Sequence, residues 1–345
     1  MEEGRASRTA IATAYFRAHH DKHANPKIFE DPLAGALLHA DDVAPLERFL
    51  LAGVAKHNPE LAASGADRET RIGLALRGLV VVLARARFTE ERLADAMRDG
   101  TAQYVIIGAG LDTFALRRSD LRGRLRVIEI DHPATQAFKR GRIRDAGLEL
   151  PPNLHFAPAD LEKESLAEVL PRTPYDPSRP AFFSWLGVTM YLTDEAIRAT
   201  LRSLRRTAVP GSQLVFDYLD RAVFDPGSPT PARSRLFEIV RRVGEPMIFG
   251  FDPSALDAEL AEEGFRLLEQ KDYDGAIRVL ERAVGINPGD GPAYFYLAEA
   301  WMGRKNFKLA SQFNGLAALY LRNDPAWSRR AGLQKERIEK AEKKK

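Results

Sequence analysis

The chain has 345 residues, of which 45% are hydrophobic and 29% are charged, so it can bury one large core and one smaller module. It contains no cysteine, which excludes disulfides, thiolate zinc sites and cysteine nucleophiles. The formal net charge is +3, and the densest basic cluster, residues 117–126, has only Phe114 as a nearby aromatic residue. We therefore expect a solvated helix and turn there, and no nucleic-acid partner.

Residues 1–9 are polar and charged, and the longest strongly apolar run, residues 79–83, is far shorter than the ~20 residues of a membrane span. We expect a cytoplasmic protein with no membrane partner. Helices are predicted from an N-cap at Ser7 to about Asp99, with Thr89 as a further capping residue. The first of these helices is expected to cover a ligand pocket.

A strand, a glycine turn and a second strand follow this helical segment. The apolar run 104–107 enters Gly108 and Gly110, and a second, mostly apolar run, 127–130, ends at Asp131. In an open α/β sheet a ligand lies outside the carboxyl ends of the strands, where an acid about 20 residues after the turn can accept ribose hydroxyls. The pattern predicts a cofactor that contains adenosine.

The details of the turn favour S-adenosylmethionine over a dinucleotide. A dinucleotide fingerprint has a third glycine five positions after the first, and this chain has Thr113 there. S-adenosylmethionine carries no pyrophosphate and needs only close passage of its methionine part over the turn. The alternative for Gly108 and Gly110 is an ordinary tight turn between a strand and a helix.

Three more strands are predicted, at residues 154–157, 181–185 and 213–218, and the first of them ends near Asp160. Between the last two, Thr193 is expected to cap a helix that ends before residues 210–211, which are Pro and Gly.

The C-terminal segment repeats an aromatic residue and two alanines with the 34-residue period of tetratricopeptide repeats. The two sets are Tyr273, Ala276 and Ala283, then Phe307, Ala310 and Ala317. A generic helical hairpin is the alternative. Because two such units bury little apolar surface alone, we expect them to dock on the first domain, to self-associate, or to hold a partner protein.

Five motifs together resemble the leucine carboxyl methyltransferase family, in its bacterial branch of S-adenosylmethionine-dependent methyltransferases. They are residues 7–10 (SRTA), 29–34 (FEDPLA), 108–113 (GAGLDT), 129–133 (EIDHP) and 184–192 (SWLGVTMYL). The resemblance implies an α/β fold with a Rossmann-like class I methyltransferase sheet and an N-terminal helical cap, over residues 1–256. An all-α tetratricopeptide-like module would follow over residues 257–345.

The resemblance also implies the cofactor site. Arg85 would bind the cofactor's carboxylate, with Arg8 as a second contact, and the remaining contacts would come from Gly108, Gly110, Asp131, Asp160 and Leu161. The two glycines would pass beneath the methionine part, Asp131 would accept from the ribose, and Asp160 with Leu161 would lie beside the adenine. Arg85 has a surface salt bridge as its alternative role, and Asp131 has a helix cap.

The expected reaction is transfer of the sulfonium methyl group to an oxygen of a small-molecule or protein acceptor. A carboxylate acceptor needs no general base, whereas a hydroxyl acceptor would need one, with Tyr191 and His132 as the catalytic candidates. His19 and His23 have the spacing of two metal ligands on one helix, but the sequence offers no third ligand, so no metal site is predicted.

Two other functions remain open. The chain could be a degenerate methyltransferase-fold scaffold whose repeats bind protein, because Leu186 replaces a glutamate of the family's eukaryotic members and the last strands are displaced by repeat helices. The phosphatase substrate of those members is therefore not expected here. A nicotinamide oxidoreductase is disfavoured by Thr113.

Overall fold

A computed structural model describes residues 7–76, 79–225, 245–266 and 288–343, together with the single residues 277, 280, 281, 284 and 285. These form two compact units, of which the first comprises residues 7–224 and 245–266 within the described ranges. The first unit therefore extends past residue 256, where the sequence placed the boundary. The reason is that Leu256 and Leu260 are buried in its core.

Five helices of the described chain precede the sheet: α1 Arg8–His23, α2 Ala40–His57, α3 Pro59–Ala63, α4 Arg68–Leu76 and α5 Val80–Arg98. The predicted cap at Ser7 is confirmed, since its Oγ accepts a hydrogen bond of 3.1 Å from the amide of Ala10. The predicted capping role of Thr89 is wrong. Thr89 is buried within the continuous helix α5, because the apolar residues on both sides of it belong to one helical face.

The sheet has five strands: β1 Gln103–Ile107, β2 Arg126–Asp131, β3 Leu154–Pro158, β4 Phe182–Trp185 and β5 Gln213–Phe216. All pairs are parallel, in the order β3-β2-β1-β4-β5. Each strand lies where the sequence predicted one, although β5 ends at Phe216 rather than at residue 218. The order reverses between β1 and β4, which makes their carboxyl ends the switch point where ligands bind in such sheets.

Alternate side chains of each strand pack on opposite faces of the sheet, so both faces are covered. Val105 and Ile107 of β1 lie in one apolar cluster, and Tyr104 and Ile106 lie in the other. The helices after β1 are α6 Phe114–Arg117, α7 Pro133–Asp145, α8 Leu166–Val169, α9 Asp194–Thr207 and α10 Leu256–Glu262. This is the doubly wound arrangement that near-continuous apolar strands require.

The crossover helix α9 forms as predicted. The Oγ1 of Thr193 accepts from the amide of Ala196 at 3.2 Å, and Ile197, Leu201 and Leu204 are buried against the sheet. Among the described residues after β5, no further strand joins the sheet. The chain instead forms one isolated parallel bridge between Asp220 and Phe251, followed by α10.

The second unit contains three described helices, α11 Gly291–Gly303, α12 Phe307–Leu321 and α13 Pro325–Glu342. Ala298 and Ala310 are fully buried and cluster with Ile338, so small residues allow the helices to approach closely, as predicted. The buried Asn314 amide donates to the carbonyl of Ala331 and to Gln334 Oε1, both at 2.9 Å. Residues 273, 276 and 283 of the first predicted repeat lie outside the described residues.

None of the described helices has the length and apolar character needed to cross a membrane. The cytoplasmic location stays a prediction of the sequence.

Replacing Ala310 by Leu should destabilise the helical unit by about 1–3 kcal/mol, because the larger side chain overpacks the contact with Ala298 and Ile338. The matched control is Ala318→Leu on the same helix, where the residue is exposed. Urea unfolding followed by tryptophan fluorescence compares the two variants. Equal stability of both would contradict close helix packing at Ala310.

Candidate functional site

The turn after β1 brings backbone to the switch point of the sheet. Gly108 and Gly110 have φ values of +72° and +52°, which favour glycine, and the amide of Gly108 donates to the carbonyl of Ile130 at 2.8 Å. A Cβ built on Gly108 would collide with Val188, and one on Gly110 would lie 3.2 Å from the Cβ of Ala10. The turn is therefore packed between α1 and the segment after β4.

Asp131 ends β2 and lies against this turn. Its carboxylate accepts from the amide of Gly110 and from the amide of His132, the second at 2.6 Å. Burial raises the pKa of Asp131, and the two amide hydrogen bonds oppose that shift. Two amides occupy only part of the accepting capacity of a carboxylate, so Asp131 can also accept from hydroxyl groups.

Asp160 follows β3 and is held by its own turn. Its carboxylate accepts from the amide of Glu162 at 3.2 Å and pairs with the ammonium of Lys163 at 3.0 Å. Burial acts to raise the pKa of Asp160, but Lys163 and the Glu162 amide outweigh it, so the pKa lies below its usual value. Leu161 is half-buried beside the apolar cluster under β2 and β4.

Arg85 reaches the carboxyl ends of β4 and β5 from helix α5. Its Nη1 donates to Asp217 at 2.5 Å, and the other Asp217 oxygen accepts from the amide of Gly187 at 2.5 Å. A Cβ on Gly187, whose φ is +69°, would lie 2.5 Å from Nη2 of Arg85. Gly187 therefore leaves the space that the guanidinium occupies.

Asp217 and Gly187 lie at this candidate site beside Arg85, and the sequence analysis did not assign them. Gly187 lies within the motif 184–192 and could have been suspected as a glycine just after a strand. Asp217 directly follows β5 and has no local motif around it. Its role depends on which helix supplies the arginine, and the sequence does not show that.

Arg87 and Arg8 differ from Arg85 in position. Arg87 pairs with Glu91 one helical turn away at 2.8 Å and donates to the carbonyl of Ile28 at 3.3 Å, so it is occupied away from the strand ends. Arg8 is exposed at the first turn of α1, and its backbone amide donates to Glu245 at 2.7 Å. Arg85 and Arg87 lie two residues apart on α5, and of these two Arg85 is the one that donates to Asp217.

Glu245 caps the N-terminus of α1, a role with no signal in the sequence. Its carboxylate accepts from Ser7 Oγ at 3.0 Å, from the Arg8 amide and from Thr9. Carboxylates are stabilised at that end of a helix by free amides and by the helix dipole.

The hydroxyl of Tyr191 lies beside Thr9. Burial together with the Glu245 charge raises the pKa of Tyr191 to about 12.

His132 is the N-cap of α7. Its Nδ1 accepts from the amide of Ala134 at 3.3 Å, so the capping role proposed for Asp131 belongs to His132. Leu186 is half-buried between β4 and Gly187. An aliphatic side chain there offers no hydrogen-bond acceptor.

A buried carboxylate joins the helical cap to the glycine turn. Asp31, 1% exposed, accepts from Arg17 Nε at 2.8 Å and from Thr113 Oγ1 at 2.6 Å, and lies 3.3 Å from Arg117 Nε. Arg17 also donates to the carbonyl of Leu111 at 2.7 Å. This network holds α1 against residues 111–117, so Thr113 has a structural role where a dinucleotide fingerprint would have glycine.

The family model described as leucine carboxyl methyltransferase matches residues 10–205, more than half of the chain. The chain belongs to this family. A Bacillus subtilis relative, YktD, whose name places it among S-adenosyl-L-methionine-dependent methyltransferases, is 31% identical over 280 residues, covering 79% of this chain and 91% of YktD. Rv0830 of Mycobacterium tuberculosis, named in the same way, is 28% identical over 203 residues, 57% of this chain and 62% of Rv0830.

Membership in the leucine carboxyl methyltransferase family makes the chain an S-adenosylmethionine-dependent methyltransferase, as predicted. A tetratricopeptide repeat model matches residues 267–331, which confirms the nature of the C-terminal segment. Among solved structures, a duf574 family protein from Streptomyces avermitilis has a TM-score of 0.46 and 16% identity, with 77% of this chain and 85% of that chain covered.

Replacing Asp31 by Asn should lower the free energy of unfolding by about 3–5 kcal/mol, because it removes the charge that Arg17 and Arg117 surround. The control is Asp120→Asn, which breaks the exposed pair with Arg118 and should cost roughly 0–1 kcal/mol. Denaturant unfolding of both variants is the measurement. A loss for Asp31→Asn that matches the control would contradict the joining role.

Proposed function

We propose that this methyltransferase binds S-adenosylmethionine at the carboxyl edge of the sheet and methylates an oxygen of its acceptor, a carboxylate or a hydroxyl. The observation that carries the proposal is the placement of Arg85 at the ends of β4 and β5, opposite the glycine turn that ends β1. A single arginine fixed there suits the one carboxylate of the cofactor.

The donors and acceptors at this edge fit the cofactor chemically. Asp217 engages one guanidinium nitrogen of Arg85, which leaves further N–H donors of that group for a ligand carboxylate. The alternative role of Arg85 is a salt bridge at the protein surface, and this is disfavoured. The guanidinium lies at a strand end, in space that is free because Gly187 has no side chain, and not at the surface of its helix. Asp131 supplies acceptor capacity for ribose hydroxyls at the end of the adjacent strand β2.

The other cofactor contacts follow the order of the strands. Gly108 and Gly110 would pass beneath the methionine part, and Asp160 with Leu161, after β3, would lie beside the adenine. β3 is the neighbour of β2, so the adenine contacts lie beyond the ribose contact. Arg8 is proposed as a second carboxylate contact, supported only by its place at the exposed start of α1.

The cofactor supplies an electrophilic methyl group, and the protein's contribution is to hold the acceptor oxygen in line with it. Such positioning contributes up to ~7–11 kcal/mol. Tyr191 keeps its proton at neutral pH, since its pKa is about 12, and His132 uses Nδ1 to cap α7. We infer that neither acts as a general base. This favours a carboxylate acceptor, because that group attacks without losing a proton.

The repeat segment is proposed to recruit a protein partner or to drive self-association. Tyr296, Leu319, Tyr320 and Leu333 expose large apolar side chains on the described part of this unit. Large contiguous apolar patches are typical of interaction sites, and these four side chains are the candidates for such a patch. The absence of a nucleic-acid partner stays a prediction.

Replacing Arg85 by Ala should weaken binding of S-adenosylmethionine by about tenfold to a hundredfold, since charge-assisted hydrogen bonds are worth about 1.5–3 kcal/mol. Calorimetric titration of the full chain measures this. Arg87→Ala is the matched control, two residues away on the same helix and paired with Glu91.

Equal loss in the two variants would contradict the assignment of Arg85. No binding of S-adenosylmethionine by the unaltered chain would favour the scaffold function, and saturable binding of NAD instead would favour the oxidoreductase.

Tyr191 should remain protonated at neutral pH. Difference absorbance between the unaltered chain and Tyr191→Phe should show no phenolate from this residue below pH ~10, because burial and the Glu245 charge disfavour ionisation. N-acetyl-tyrosinamide, whose phenol is fully solvated, is the control and should ionise near pH ~10. Phenolate from Tyr191 near pH 7 would instead make it a candidate base for a hydroxyl acceptor.

A further inference from the structure

Two helices of the N-terminal cap bring together three side chains that the proposed cofactor site does not use. His19 and His23 lie one turn apart on α1, and Glu69 lies in the first turn of α4. Gly73, one turn after Glu69 on α4, faces His19, because a Cβ built there would lie 3.7 Å from its Cε1. The close approach of α4 to α1 therefore places the carboxylate between the two imidazoles.

The distances between these groups are those of ligands around one small cation. Nε2 of His19 and Nε2 of His23 each lie 3.5 Å from the same oxygen, Oε2 of Glu69. One ligand atom from each residue lies within 4.8 Å of the others. Tetrahedral ligands at the usual zinc–nitrogen and zinc–oxygen lengths of about 2.0–2.1 Å are separated by about 3.3–3.4 Å.

The ring nitrogen of His19 that faces Glu69 has no hydrogen-bond partner among the described residues. The side chain of His19 is only 10% exposed, and this nitrogen, Nε2, is buried. Its distance of 3.5 Å to Glu69 is longer than a hydrogen bond.

The other nearby carboxylate does not compete with Glu69 for the two histidines. Glu47, on α2, is a second nearby carboxylate, but it accepts from the hydroxyl of Tyr15 at 2.7 Å and pairs with Arg68. Glu69 is therefore the carboxylate available to the two histidines. The set is two imidazoles and one carboxylate, a combination that suits zinc and leaves a fourth position for water.

We propose that His19, His23 and Glu69 bind a zinc ion that joins α1 to α4. The sequence alone argued against a metal, because it offered two histidines and no third ligand. Glu69 is separated from them by helices α2 and α3, and only the packing of α4 on α1 supplies it. The ion stabilises the C-terminal half of α1, the helix whose Ala10 packs on the Gly110 turn.

The test is calorimetric titration of the metal-free full chain, without a histidine tag, with zinc chloride. We expect one ion per chain, and His23→Ala and Glu69→Gln should each weaken binding by more than the roughly 10- to 100-fold that changes to outer-shell partners cost. Both side chains are partly exposed, so the variants should fold. His155→Ala, which removes a histidine of β3, is the matched control and should bind zinc normally.

A second readout separates coordination from an ion pair between histidine and glutamate. Cobalt, added in place of zinc, should give the visible absorption of a tetrahedral N/O site in the unaltered chain and in His155→Ala, and not in the other two variants. Zinc should also raise the thermal unfolding temperature only where that absorption appears. Absent zinc binding, or zinc binding unchanged in His23→Ala or Glu69→Gln, would overturn the proposal.

Discussion

The arrangement of the first unit depends on the buried carboxylate of Asp31. One side chain accepts from Arg17 on α1 and from Thr113 at the end of the glycine turn, and it faces Arg117 on α6. A buried charge of this kind is tolerated only when opposite charges and hydrogen bonds surround it. The position of α1 relative to the turn, and with it the covering of the sheet's carboxyl edge, follows from that requirement.

The same edge is then assembled from groups that are far apart in the chain. Asp131 ends β2, Asp217 follows β5, and Arg85 arrives from α5, yet parallel pairing places all the strand ends on one side. Asp217 links two of these parts, because one oxygen holds the guanidinium and the other holds the Gly187 amide. Polar side chains at the carboxyl ends of apolar strands are what an α/β enzyme needs to bind a polar cofactor.

The sequence predicted the strands well and the helical cap less well, for physical reasons. Strands buried on both faces appear as nearly continuous apolar runs. β1 was therefore recognisable from residues 104–107, and β2 from residues 127–130, in which Glu129 is the one charged residue. Thr193 caps a helix as predicted, whereas Thr89 lies inside one. The sequence pattern did not distinguish the two positions, because a threonine has the same chemistry in both settings. Only the continuation of the apolar face beyond Thr89 distinguishes them.

By itself the sequence determined the family, the parallel sheet, the glycine turn and the repeat period, because each is carried by neighbouring residues or by a regular spacing. The tertiary structure decided which distant side chains meet. It joined Arg85 to Asp217, placed Glu245 on the N-terminus of α1 and set Glu69 beside His19. Such pairs depend on how helices pack on one another, and no local pattern of residues records that.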